Sequence, residues 1–132
     1  MGFQAEWFGI IEEALEPNTE RNTFAMSNLM TLAEAARKIH AKEISPLELV
    51  EECLRRIDRL EDRLRAWVVV DRENALRTAR QMTEEAARGE FRGPLHGLPV
   101  GVKDIIDVEG LPTRAGSPLR ENHVAAHDAP VV

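Results

Sequence analysis

Lys103 is the residue of this chain best suited to chemistry by its type and surroundings. It is one of three lysines beside fourteen arginines, and it closes the apolar run Leu98-Pro99-Val100-Gly101-Val102. An amine in apolar surroundings loses hydration, so its charged form is disfavoured and its pKa falls. Lowered far enough, such an amine works as a base near neutral pH. Side chains alternate along a strand, so Lys103 would share a face with Gly101 and Ile105 while Asp104 points the other way. The neighbouring carboxylate then need not pair with the amine, and Gly101 leaves room for another segment to approach. The other reading of the position is a strand-end lysine that extends its charged head into water.

The remaining candidates are read against their simpler roles. Thr113 and Ser117 lie in the glycine-bearing segment Gly110-Leu111-Pro112-Thr113-Arg114-Ala115-Gly116-Ser117, where their hydroxyls can hydrogen-bond the lysine or its loop. No lipase-type elbow surrounds Ser117, so a supporting role is expected rather than a nucleophilic one. The other two serines read as a linker residue, Ser27, and a helix cap, Ser45. His123 and His127 are four apart with Glu121 and Asp128 nearby, a spacing that would suit a metal on a helix. Val124 stands where a zincin has its glutamate, and Pro130 closes the segment, so both are expected to be loop histidines. His96, in the turn at 93–97, is expected to stabilise that turn rather than transfer a proton. Asp104 and Asp107 lack a clear shared target, which leaves solvation or loop hydrogen bonding. Cys53 falls on the apolar stripe of a helix and reads as a core residue. A phosphate loop is excluded, because Lys103 is preceded by Val102 and followed by Asp104.

These residues need elements to position them. Thr31-Leu32-Ala33-Glu34 and Ser45-Pro46-Leu47-Glu48 both read as capping boxes, the second with proline at the first helical position. In the helix that follows Ser45, Leu47, Val50, Leu54, Ile57, Leu60 and Leu64 recur at spacings of three and four and predict one buried stripe. The β-branched run Ala66-Trp67-Val68-Val69-Val70 predicts a strand covered on both faces. Asp71 is placed to cap a helix to about Arg88, with Ala75, Leu76, Ala79, Met82 and Ala86 inward and Gly89 just beyond its end. A second strand is expected over residues 98–106, and strand–helix–strand at this length permits a parallel crossover. Toward the N-terminus, Trp7, Phe8, Ile10, Ile11 and Leu15 suggest a short helix ended by Pro17, followed by a polar linker over 18–28. At the other end, Asp128-Ala129-Pro130 looks like a helix start two residues before the last, which suggests the front piece of a longer protein.

Composition narrows the function classes. The 132 residues are 43% hydrophobic and 30% charged, with a formal net charge of −6. That acidity argues against a general nucleic-acid surface and against binding to anionic lipid. No apolar span is long enough for a bilayer, and the N-terminus lacks a secretory signal pattern. A single cysteine cannot form an internal disulfide. A cytoplasmic protein is expected.

The ordered elements Ser45-Pro46-Leu47-Glu48-Leu49-Val50, Gly93-Pro94-Leu95-His96-Gly97-Leu98-Pro99, Val102-Lys103-Asp104, Gly110-Leu111-Pro112-Thr113, Ala115-Gly116-Ser117 and Asp128-Ala129 resemble the N-terminal part of the amidase signature family. The resemblance runs from about Leu32 to the end. It implies an α/β fold: the N-terminal part of an α/β/α sandwich with a mixed sheet, helix-rich here with about two or three strands. It divides the chain into an N-terminal extension and linker, 1–30, and an incomplete amidase signature domain, 31–132. In that family the residue matching Lys103 is the terminal base of a Ser–cis-Ser–Lys triad that cleaves non-peptide carboxamide C–N bonds. Both triad serines lie in a later region of the family, beyond residue 132, so this chain alone is expected to be inactive. Thr113 and Ser117 are carried as supporting residues, and no cofactor or metal is implied. The implied partner is a small-molecule amide in the full-length parent, with no membrane or direct nucleic-acid contact and with self-association through exposed apolar surface. Broad-specificity amidases and the glutaminase-type subunit of tRNA-dependent amidotransferases are both compatible. A noncatalytic partner-binding module, pairing through an exposed sheet edge, is the reading from a different class.

Overall fold

The computed structural model describes residues 30–132, of which Leu32–Val132 group as one unit. The expected N-terminal helix, the linker and Ser27 lie outside the described residues. Three α-helices follow one another: α1 (Leu32–His40), α2 (Pro46–Leu64) and α3 (Arg72–Arg88), with a single 3-10 turn at Pro118–Arg120.

Each helix begins where the sequence places a cap. α1 starts at the residue after Thr31. At α2 the Ser45 hydroxyl accepts the Glu48 N–H at 3.1 Å, and the Glu48 carboxylate accepts the Ser45 N–H at 2.8 Å. Two of the N–H groups that any helix start leaves open are thereby closed reciprocally. A third partner comes from another helix: the Thr83 hydroxyl accepts the Leu47 N–H at 3.1 Å and donates to the Ala79 carbonyl at 2.8 Å. α2 ends on Arg65 in the left-handed region, with its N–H donating to the Glu61 carbonyl. α3 is capped by the Asp71 carboxylate and ends on Gly89 at φ 80°, a conformation that glycine adopts without steric cost. Lys42 adds its ammonium to the end of α3 by donating to the Ala87 carbonyl at 2.9 Å. A cation there also complements the negative end of the helix dipole.

α2 and α3 run antiparallel, since Leu47 near the start of α2 meets Thr83 near the end of α3, while Asp58 pairs with Arg72 at the start of α3. Val50, Leu54 and Ala79 form the buried centre between them, with Leu47, Ile57, Val70, Ala75 and Leu76 packed against it. The predicted stripe on α2 is therefore buried over its first half. It opens at Leu60, which is exposed. On α3, Ala79 and Ala86 are buried as expected, and Ala75, Leu76 and Met82 are half-buried.

The expected strands are where the structure departs from the sequence reading. Among the described residues neither 66–70 nor 98–106 is a strand, and the only β pairing is an isolated antiparallel bridge between Pro112 and Val124. A strand exists by virtue of a ladder partner, and these two runs do not supply one to each other. The Trp67 N–H donates to the Glu61 carboxylate instead, at 3.0 Å. The amides of Val100 to Asp104 have no acceptor among the described residues. The two runs do lie side by side: a Cβ on Gly101 would sit 3.0 Å from the Trp67 ring. The close approach expected at Gly101 is thus made by an indole.

Candidate active site

The path to Lys103 starts in the turn at 93–97. His96 N–H donates to the Gly93 carbonyl at 3.1 Å, and Leu98 N–H to the Leu95 carbonyl at 3.1 Å. The His96 ring is 3% exposed. Its Nδ1 accepts the Arg92 N–H at 3.2 Å, which places the proton on Nε2, 2.9 Å from the Met82 carbonyl. With both ring nitrogens committed to backbone, His96 stabilises its turn, as the sequence reading expected, and also fastens it to α3. Phe91 stands edge-on to that ring and stacks on His40 at 4.1 Å between centroids. Gly97 then adopts φ +77°, and a Cβ there would lie 2.4 Å from Pro46 Cγ. Two distant sequence elements, Ser45-Pro46 and the Gly/Pro turn, are thus one packing unit over the buried Ile39 and Pro46.

Lys103 follows this turn and is exposed, together with Val100, Gly101, Val102 and Ile105 around it. This corrects the reading of an amine shielded in its apolar run and agrees with the other, a lysine whose charged head extends into water. The segment carries its apolar side chains outward, so nothing among the described residues removes water from the lysine. Nor does any described residue hydrogen-bond or ion-pair with its amine. The Lys103 carbonyl accepts the N–H groups of Ile105 at 2.8 Å and Ile106 at 2.9 Å, so the run ends in a tight turn at 103–106.

Asp104 sits in that turn and binds the glycine loop. Its carboxylate accepts the Arg114 N–H at 2.9 Å, and its carbonyl accepts the Ala115 N–H at 2.9 Å. The Lys103 turn and the loop at 110–117 are therefore neighbours, and the contact runs through Asp104 rather than through Thr113 or Ser117. Thr113 is 2% exposed. Its N–H donates to the His123 carbonyl, and its carbonyl accepts Arg120 Nε at 3.0 Å. Ser117 precedes the 3-10 turn without a side-chain cap bond, and its carbonyl accepts the Arg120 N–H. Neither hydroxyl bonds the lysine. Arg120 was missed by sequence reading, because the reach of a long side chain to a carbonyl seven residues back leaves no pattern.

The rest of the loop region is held by backbone. Gly110 N–H donates to the Ala125 carbonyl, Ala125 N–H to the Leu111 carbonyl, and Ala129 N–H to the Asp107 carbonyl. The Asp128 carboxylate accepts the Glu109 N–H at 2.7 Å. Asp107 stands 3.9 Å from both Arg120 and His123. His123 and His127 are exposed loop residues, and no group of three or more His, Cys, Asp or Glu side chains among the described residues is arranged to hold a metal ion. Cys53 is half-buried on α2, and burial pushes its thiol pKa above the ordinary value, which suits a packing residue.

A family model described as Amidase matches residues 48–132. The chain belongs to the amidase family. The A component of the glutamyl-tRNA(Gln) amidotransferase from Streptomyces avermitilis is 41% identical over 100 residues, covering 76% of this chain and 20% of that protein. An amidase from Pseudomonas putida is 43% identical over 98 residues, covering 73% and 21%. Among solved structures, an amidase crystal structure superposes with a TM-score of 0.63 at 48% identity, over 66% of this chain and 20% of that one. A chain from a vestigial protein complex, described in connection with the origins of an s-triazine catabolic enzyme, gives 0.71 at 34% identity, over 76% and 22%. The chain thus spans about a fifth of the length of these amidase-family relatives. Among the described residues, no helix is long and apolar enough to cross a membrane.

Proposed function

We propose that this chain carries the lysine base of an amidase signature hydrolase acting on small-molecule carboxamides, with no cofactor. The observation that carries the reading is the state of Lys103: its amine is unpaired among the described residues, although a carboxylate is next to it in sequence, and that carboxylate accepts the Arg114 N–H instead. The amine is thus free to meet a hydroxyl brought to it by another segment. In the proposed mechanism its neutral amine accepts a proton from a serine held by a cis peptide bond, which in turn takes the proton of the nucleophilic serine. The serine oxygen attacks the carboxamide carbon, the proton passes back to the departing nitrogen as the C–N bond breaks, and water then hydrolyses the acyl-enzyme. Both serines belong to a part of the family outside these 132 residues, together with most of the α/β/α sandwich and its mixed sheet. Segments of that sheet would cover 98–106 and take the water away from Lys103.

Ser45 serves as a helix cap, and Ser117 lies at a 3-10 turn, so neither supplies a substitute nucleophile. The isolated chain should therefore release no ammonia from simple amides above background. The positive test is a chimera in which residues 30–132 replace the matching stretch of the Pseudomonas putida amidase. Carboxamide turnover should fall by at least about a hundredfold on Lys103→Ala. Equal activity of the two chimeras would overturn the reading. So would Lys103-dependent turnover by the chain alone, which would demand another nucleophile.

The exposed Val100, Val102 and Ile105 favour a second reading, in which the same surface serves a noncatalytic partner or a second copy of the chain. Sedimentation of the purified chain across a concentration series tests the self-association arm.

A further inference from the structure

The carboxylate beside the lysine takes no proton in the chemistry just described. Asp104 is the point at which two loops converge. On one side the Lys103 carbonyl closes the turn at 103–106 by accepting two backbone N–H groups. On the other, Asp104 takes the Arg114 N–H with its carboxylate and the Ala115 N–H with its carbonyl, both at 2.9 Å. Ala115 is at φ 52° and Gly116 at φ 66°, so the loop bends sharply where Asp104 grips it. A left-handed alanine costs about 1 kcal/mol and persists where neighbouring bonds hold it.

We propose that Asp104 is a positioning residue: it anchors the 110–117 loop to the Lys103 turn, and its commitment to that loop is what leaves the lysine amine unpaired. The proposal rests on the reading of Lys103 as a base. A free carboxylate one residue away could fold back toward the ammonium, and the resulting ion pair would hold the lysine charged. With its Oδ1 bound to a backbone N–H ten residues further along, the carboxylate is held outside ion-pair reach of the amine. The same side chain thus defines where the loop sits and removes the nearest competitor for the amine. Asn could do the first of these, because its carbonyl oxygen accepts the same N–H. Ala could not.

The test uses the 132-residue chain and needs no catalysis. Amide hydrogen exchange is followed at Arg114, with α2 amides as internal controls for folding. The pH dependence of acetylation at Lys103 is followed by peptide mass spectrometry, with Lys38 as reference. Asp104→Ala should speed exchange at Arg114 by about tenfold or more without altering α2, since it removes a bond to a charged acceptor. Asp104→Asn should fall between the parent and Asp104→Ala at Arg114 and leave the Lys103 acetylation profile superimposable, because it keeps an acceptor, though a neutral and weaker one, while removing the charge. The proposal is overturned if Asp104→Ala leaves Arg114 exchange unchanged, or if Asp104→Asn behaves like Asp104→Ala. It is also overturned if Asp104→Asn shifts the Lys103 profile to lower pH, which would reveal an ion pair. Should Asp104→Ala fail to fold, the Asn variant decides through the last two outcomes. An anchor that passes this test while the Lys103→Ala chimera keeps full activity would sink the amidase-base reading alone.

Discussion

Residues 32–97 and 98–132 are ordered by different means. In the first region α2 and α3 are capped at both ends, and Ile39, Val50, Leu54, Ala79, Ala86 and His96 are buried. In the second only Thr113 and Ala125 are buried, while Val100, Val102, Ile105, Leu119, Val124, Val131 and Val132 are exposed. What holds the second region is backbone: turns, the Pro112–Val124 bridge, and carboxylates that accept N–H groups from residues ten or more positions away. Burial stabilises a segment in proportion to apolar area removed from water, whereas a single hydrogen bond contributes only about 1 kcal/mol net. The candidate base is therefore carried by the less stable of the two regions, and the helices serve as its platform.

The sharpest way to break that contrast is at the joint between them. A methyl group at Gly97 would meet Pro46 at 2.4 and 2.8 Å and would have to adopt φ +77°. Gly97→Ala should cost about 3 kcal/mol, adding overpacking to the left-handed penalty. Urea unfolding monitored by helix content would show it, and a loss below about 1 kcal/mol would mean the turn does not pack on α2 as described. Next in size is the contrast itself. Amides of Val100 to Asp104 should exchange at least about a hundredfold faster than those of Val50 to Leu54, because the former lack acceptors and the latter sit in a buried helix turn. Comparable protection in the two stretches would show that the second region has a covering layer, such as a second copy of the chain.

Legibility in the sequence follows the same division. The cap at Ser45, the proline after it, the Asp71 cap and the Gly89 terminus were all readable, because each acts within a few residues of where it is written. The role of His96 was readable from its turn. The strands at 66–70 and 98–106 were expected from composition, yet β-branched runs report suitability for a sheet and not the presence of a partner, and here the partner ladder is absent. For the same reason the reading of Lys103 as a shielded amine fails in this structure, and the reading as a lysine extending into water holds. Loop bonding by Asp104 was foreseen only as a default for an acid with no obvious target. Its bond to Arg114 joins residues ten apart, and no local period announces it.

Two substitutions of intermediate effect test whether the first region depends on its polar seams. His96→Phe keeps the edge contact with Phe91 but leaves the Arg92 N–H without its acceptor and strips the Met82 carbonyl of the donor it has beyond its own helix, and should cost about 2 kcal/mol. Ser45→Ala removes one half of the capping box and should cost about 1 kcal/mol. Thermal melts of both variants read these values. A Phe variant as stable as the parent would mean that water reaches those backbone groups.

The smallest expected effect is electrostatic, and it separates the regions by pH. In the first region the Arg92 guanidinium donates to the Glu85 carboxylate at 2.7 and 2.6 Å and holds its carboxyl below the usual glutamate range. Ser45 does the same for Glu48, and Arg56 followed by Arg55 for Glu52. A carboxyl whose folded pKa is depressed binds fewer protons folded than unfolded. Its contribution is therefore present above the unfolded value of about 4.3 and is lost as pH falls through the lower folded value. Glu85→Gln should accordingly lower the melting temperature slightly at pH 7 and make no difference near pH 2. In the second region Asp107 reaches Arg120 and His123 only at 3.9 Å, between side chains that are all more than 40% exposed. Pairs of that kind contribute little, so Asp107→Asn should leave the melt unchanged at both pH values. A larger pH-dependent loss for Asp107→Asn than for Glu85→Gln would reverse the assignment, making charge rather than backbone the agent that orders the loops around Lys103.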